Sequence, residues 1–242
     1  MIAPDLARVE TLWVYLAADP LLWLTVTLAT YVVADRLSSR LDRHPLANPV
    51  LIAVALLAAI LSVTRTPFET YFQGAQFVHF LLGPATAALA LPLHRHWPLV
   101  RKAVLPILAA LLAGALTAVI SAIGIAAAFG VPQPILASLA PKSVTAAIAM
   151  GIAREIGGEP SLTATLVIAT GILGAVMVTP LMIWLGFTDW RARGFAAGLA
   201  AHGIGTARAF QVNPVAGAFA GIAMGLNGLV TAVLVPLILR LF

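Results

Sequence analysis

Three ionisable residues stand where charge is expensive. Lys142 lies in LAPKSVTAAIAM, and His202 and Arg208 lie in GLAAHGIGTARAF, segments rich in glycine or alanine and otherwise strongly apolar. An ionisable group at bilayer depth costs roughly 2.5 kcal/mol or more, so it persists where it faces a cavity, a partner or a substrate. The chemistry these residues offer is anion binding. The run Pro141, Lys142, Ser143, Val144, Thr145 reads as the start of a half-helix. Proline suits the first turn, whose free amides point outward, and the helix dipole adds about half a positive charge there. An ammonium beside such a terminus, with the Ser143 and Thr145 hydroxyls, fits a carboxylate or phosphate. The competing use of Lys142 is snorkelling to the headgroups. Arg208 offers a bidentate fork for a carboxylate, and His202 a proton near neutral pH. Between them Gly203, Gly205 and Thr206 expose backbone and hydroxyl groups, which line a pocket without lipid contact. A structural histidine and an interfacial arginine are the plainer alternatives. Gly83, Pro84 and Thr86 form an uncharged counterpart, for which a packed kink competes with a site role.

Such residues need a membrane scaffold, and the composition supplies one. Of 242 residues 61% are apolar, and the mean hydropathy is +1.02. Soluble domains average roughly 45–50% apolar, so lipid must solvate most of this chain. Uninterrupted Ala/Leu/Ile/Val blocks argue for helices rather than a β-barrel. With no cysteine, disulfides, thiolate metal sites and cysteine nucleophiles are excluded. No metal cluster or phosphate-cradling glycine loop stands out, and neither cofactor nor catalysis is expected. The +5 net charge sits in loop clusters rather than on one amphipathic face, which argues against nucleic acid and for topology signals. The opening MIAPDLARVE lacks the features of a signal peptide, so retention of this end is expected.

Along the chain, apolar spans fall near 20–34, 47–64, 102–129, 161–187 and 215–239. Two further segments, through Gly83-Pro84 and through Pro141, are apolar with a proline break, and 194–210 is short, glycine-rich and either re-entrant or unwound. Arg36, Arg40 and Arg43 place the first loop in the cytoplasm, and His94, Arg95, His96, Arg101 and Lys102 do the same for a second. A simple eight-segment count leaves Arg191 and Arg193 outside, against that rule. Gly217, Gly221 and Gly225 recur every four residues, a spacing that lets helices pack closely. Asn48 and Asn227 are placed to hydrogen-bond across helices.

TAALALPLHR at 86–95 and TAAIAMGIAR at 145–154 coincide at the threonine, three alanines and terminal arginine, each after a proline-containing break. Paired interrupted helices in corresponding positions of two halves point to a transporter's midplane site.

PKSVTAAIAM, IGGEPSLTATLVIATGILGAV and RGFAAGLAAHGIGTARAFQVNPVAGAFAGIAMGLNGLV together resemble the LrgB/CidB family of bacterial membrane proteins, and YFQGAQFVHFLLGPATAALALPL is similar to the same family's upstream signature. The resemblance covers about residues 20–240. It implies a multi-span inner-membrane protein of a kind commonly encoded with a smaller LrgA/CidA-like partner. It also implies one of two roles: transport of small acids, as in a plastid glycolate/glycerate transporter and bacterial pairs linked to pyruvate uptake, or holin/antiholin-like control of murein hydrolases and lysis.

The expectation is therefore an all-α, polytopic helical membrane protein, one LrgB-like domain over 1–242, with about eight membrane segments, two proline-broken or re-entrant helices and an internal repeat. It is expected to be a non-enzymatic, oligomeric transporter or transporter subunit in the inner membrane, in contact with lipid. Its ligand would be a small organic anion, a monocarboxylate such as pyruvate, glycolate or glycerate, held by Lys142, Ser143, Thr145, His202, Thr206, Arg208, Pro84 and Thr86. The alternative is a lysis regulator without a defined substrate site.

Overall fold

The computed structural model describes residues 18–81, 84, 87, 88 and 94–240, and it is helical throughout its regular elements. The chain falls into two compact units, Met1–Ala88 and Leu89–Phe242.

In the first unit α1 (Pro20–Arg40) packs against α2 (Pro49–Thr64) and α3 (Phe68–Phe80). Each of the first two starts on proline and is capped by the preceding residue, Asp19 or Asn48, whose side-chain oxygen accepts from the free amides of the first turn. Trp23 is fully buried and meets Tyr71 edge-on at 5.9 Å. Arg43 folds back onto Asp35 at 2.9 Å in the basic loop.

The second unit contains α4 (Trp97–Lys102), α5 (Val104–Ala128), α6 (Gln133–Leu139), α7 (Ala146–Glu155), α8 (Pro160–Trp184), α9 (Trp190–Val212) and α10 (Pro214–Leu239). Helices α5 and α8, of 25 residues each, are about 37 Å long and exceed a hydrocarbon core of about 30 Å. They run in opposite directions. Lys102, just before α5, and Pro106 in its first turn line the same hollow as Met182, in the last turn of α8, and Phe187, just after it. At the other end Val119 and Ile123 of α5 share a core with Val167 of α8 and with Val235 and Ile238 of α10.

Two segments enter this bundle and turn back. The first is α6, a turn through 140–145, and α7. It leaves from the end of α5 and returns to the start of α8, where the Ser138 hydroxyl accepts from the Glu159 amide at 2.7 Å. Its tip lies at mid-bundle, with Lys142 and Ser143 beside Thr117 of α5 and Thr170 of α8. The second is α9, which breaks at Ala201 (φ −127°, ψ 19°) and His202 (φ 41°, ψ −132°). Ala197 and Ala209 share one core cluster, and a Cβ on Gly205 would collide with the Ala197 carbonyl, so the arm after His202 folds back along the arm before it. A straight helix would hold Ala197 and Ala209 about 18 Å apart. The first arm runs parallel to the start of α10, because a Cβ on Gly194 or Gly198 would strike the carbonyl of Ala216 or Ala220 respectively. At these two positions the α9 and α10 backbones come so close that only hydrogen at the α-carbon permits the approach.

A long helix followed by a hairpin thus occurs twice, 104–155 and 160–212, in opposite directions. This correspondence differs from that between 86–95 and 145–154, whose first copy lies mostly outside the described residues. Among the described residues four helices are long and apolar enough to cross a membrane (α1, α5, α8 and α10), and α2 is shorter. The expected count of about eight membrane segments included the stretches through Pro141 and 194–210, which turn back within the bundle and are not among these four, and the stretch through Gly83, which lies partly outside the described residues. The same geometry removes the violation at Arg191: it lines one hollow with Lys102, so both stand at one end of the unit. The segment through Gly83 lies partly outside the described residues; α3 ends at Phe80, and Pro84 is helical and exposed.

Candidate functional site

The two hairpin tips meet at α10. Asn227, 1% exposed, donates through Nδ2 to the Leu199 carbonyl at 3.1 Å and to the Ser143 carbonyl at 3.3 Å, while its own oxygen accepts from the Thr231 hydroxyl at 3.2 Å. A turn or break in a helix frees carbonyls that must find donors elsewhere. One amide serves a carbonyl from each interruption and fixes the tips relative to one another.

Lys142 stands in the first tip. The half-helix begins at Ala146 rather than at Pro141; residues 141–144 form the turn, and Thr145 is the N-cap, without a side-chain cap bond. The proline marked the break but not the first helical residue, since it serves a tight turn equally well. Lys142 is half-buried, its Nζ 3.4 Å from the Ser143 hydroxyl, and both line a hollow of ≈ 700 Å³ between α5, α8 and the first arm of α9. Thr117 and Thr170 add hydroxyls to an otherwise apolar wall of Ala, Gly, Leu and Met. No carboxylate lines this hollow. A single ammonium among hydroxyls in apolar surroundings suits one negative charge on a small, partly apolar ligand.

A second hollow, ≈ 540 Å³, lies between the start of α5, the end of α8 and the first arm of α9. Lys102, Asp189 and Arg191 stand at it. Asp189 and Arg191 form an exposed bidentate pair with contacts of 2.6–3.0 Å. The Arg191 hydrogen bonds hold the Asp189 carboxyl below its ordinary range, against a smaller opposing effect of burial, and Asp189 raises Arg191 in turn. Lys102 is the cation in excess. Gly114, Leu199 and Ala200 line both hollows, so the two meet at the second tip.

His202 and Thr206 have structural partners. His202 is buried and donates from Nε2 to the Val167 carbonyl at 2.9 Å. Its backbone lies at positive φ, a conformation that costs a non-glycine residue of order 1–3 kcal/mol and persists only where surrounding contacts hold it. The Thr206 hydroxyl donates to the His202 carbonyl at 2.8 Å, satisfying a group near the break.

Arg208 is 8% exposed, with Nη1 3.5 Å from the Gln211 oxygen. It lines a separate small hollow with Trp190, Arg193 and Thr179, where the Arg193 guanidinium lies over the Trp190 ring at 4.4 Å. Lys142 and Arg208 therefore do not share one hollow, contrary to the single cradle suggested by the sequence. The fold-back at His202 carries Arg208 away from the tip. Pro84 belongs to the first unit, and Thr86 lies outside the described residues. Thr117, Thr170, Gly114 and Leu199 were not singled out from sequence; as isolated small, hydroxyl or apolar residues in apolar helices they carry no local signal.

The LrgB-like family model matches residues 27–241. YxaC of Bacillus subtilis (strain 168) is 33% identical over 217 residues, covering 90% of this chain and 94% of its own. The holin-like protein CidB of Staphylococcus epidermidis (strain ATCC 12228 / FDA PCI 1200) is 30% identical over 228 residues, 94% of this chain and 98% of its own. The holin-like protein CidB of Staphylococcus aureus (strain N315) is 29% identical over 222 residues, 92% of this chain and 96% of its own. No solved structure matches. With the family model matching from the first long helix to the last, the chain belongs to the LrgB-like family.

Proposed function

We propose that this protein is an inner-membrane transporter, or transporter subunit, for a small monocarboxylate such as pyruvate, glycolate or glycerate, with Lys142 neutralising the carboxylate. One observation carries the reading: two interrupted segments meet at mid-bundle, and a lysine at that meeting point faces a hollow without a carboxylate in its wall. Midplane sites at interrupted helices are how many transporters hold charged substrates. The Ser143 and Thr170 hydroxyls supply hydrogen bonds, and the apolar wall takes the ligand's carbon skeleton. Arg208, in its own hollow, is a secondary candidate for anion contact. Nothing in this route calls for catalysis or a cofactor.

The second reading, holin- or antiholin-like control of lysis, is supported by the names of the Staphylococcus relatives. A smaller LrgA/CidA-like membrane protein is the partner proposed for either role. The test is uptake of labelled pyruvate, glycolate and glycerate into vesicles holding the full chain, with and without that partner. Saturable uptake that falls at least about tenfold in Lys142→Ala supports the carrier, a tenfold change corresponding to one step of about 1.4 kcal/mol. Leakage that ignores substrate identity and survives both Lys142→Ala and Arg208→Ala moves the assignment to the holin-like reading.

A further inference from the structure

We infer that Leu199 is the barrier between the hollow at Lys102 and the hollow at Lys142, and that its side chain sets the largest anion that passes. Three residues line both spaces, and two of them, Gly114 and Ala200, offer little or no side chain. Leu199 is the bulk at the junction. Its side chain is seated against α5: a Cβ on Gly114 would lie 2.9 Å from Cδ2 and 3.0 Å from Cδ1. Its backbone cannot readily yield, because Asn227 holds its carbonyl and the same amide holds the first tip. Opening therefore requires a rotation of the Leu199 side chain, which is a smaller event than withdrawal of a hairpin. In its present position an isobutyl group, 8% exposed, packs with Ile107, Leu111 and Phe195 across the path.

The size limit rests on the transport reading, but the barrier does not. The chain has no cysteine, so single cysteines report accessibility without background. Ala192→Cys marks the hollow at Lys102, and Thr170→Cys the hollow at Lys142. A membrane-impermeant, charged methanethiosulfonate is applied to the Lys102 face of vesicles holding the full chain. Ala192→Cys is expected to react quickly and Thr170→Cys slowly. Adding Leu199→Ala is expected to speed the Thr170→Cys reaction about tenfold while leaving Ala192→Cys unchanged, whereas Leu199→Met, which keeps the bulk, leaves both unchanged. An unchanged rate at Thr170→Cys in Leu199→Ala, or equal acceleration in Leu199→Met, overturns the barrier. In uptake, Leu199→Ala is expected to raise the rate for a branched five-carbon monocarboxylate relative to pyruvate about tenfold. An unchanged ratio overturns the size limit. Labelling as expected with no saturable uptake in any variant, wild type included, overturns the transport reading and leaves the barrier standing.

Discussion

The His202 imidazole fills the space left by Gly171: a Cβ on that glycine would lie 2.6 Å from Cε1 and 2.8 Å from Nε2 of the ring. The ring also takes the Val167 carbonyl, so α8 grips the second hairpin at its most strained residue. Gly171→Ala is expected to expel the ring and lower stability by about 1–3 kcal/mol, the usual cost of overpacking. The readout is thermal unfolding of the purified protein in detergent.

Backbone and side chain at His202 can be separated by two substitutions. His202→Ala loses the bond to Val167 and keeps the positive φ, whereas His202→Gly loses the same bond and relieves the backbone. His202→Gly is therefore expected to be the more stable of the two, by about 1 kcal/mol. The reverse order in a melting comparison would show that the strain at this residue is not what the surrounding contacts hold in place.

Asn227→Ala withdraws one amide from two buried carbonyls, and loss of a buried partner costs about 1–3 kcal/mol. The expected outcome is lower thermal stability together with faster backbone hydrogen exchange at both tips, around 142–145 and 199–203. Exchange that rises at one tip only would show that Asn227 does not couple them.

Glycines of the last two helices should respond oppositely. Gly198→Ala would drive a methyl group into the Ala220 carbonyl of α10, so little folded protein is expected. Gly225→Ala meets nothing within 4 Å and is expected to be neutral or to stabilise by up to about 1 kcal/mol, the helix preference of alanine over glycine. Yield of monodisperse protein and its melting temperature distinguish the two.

Glu159 caps α8 and gives a pH dependence of known sign. The Ser161 hydroxyl, followed by the Leu162 and Ser161 amides, holds its carboxyl below the ordinary 4.5. A carboxyl with a lowered folded value contributes stability above its unfolded value and loses it as pH falls through the folded one. The melting-temperature difference between wild type and Glu159→Ala should be complete at neutral pH and shrink below pH 4.5. A difference that grows on acidification would contradict the capping role.

The two interruptions were legible in the sequence because their punctuation is local: Pro141 in an apolar run, and glycines flanking a histidine. Their consequence was not. Whether a broken helix continues or folds back depends on what the second arm packs against, here Gly205 against Ala197, and that contact is fixed by tertiary structure. For the same reason Arg208 lay six residues from His202 in sequence yet ended in a different hollow from Lys142. The four-residue glycine spacing in 217–225 drew attention to α10, although the tight crossing uses the same spacing on α9, at Gly194 and Gly198. Spacing alone does not say which of two facing helices yields. Asn227 was readable as a cross-helix hydrogen-bonding residue, but its two acceptors were not.

The donor for the Leu199 carbonyl lies 28 residues further along, in the last described helix. During synthesis the second hairpin therefore emerges before the group that steadies its bend exists. Its final shape waits for Pro214–Leu239 to enter the membrane, so biogenesis of this unit finishes from its carboxyl-terminal side, and a nascent chain stopped before Asn227 would hold a hairpin whose tip is not yet set.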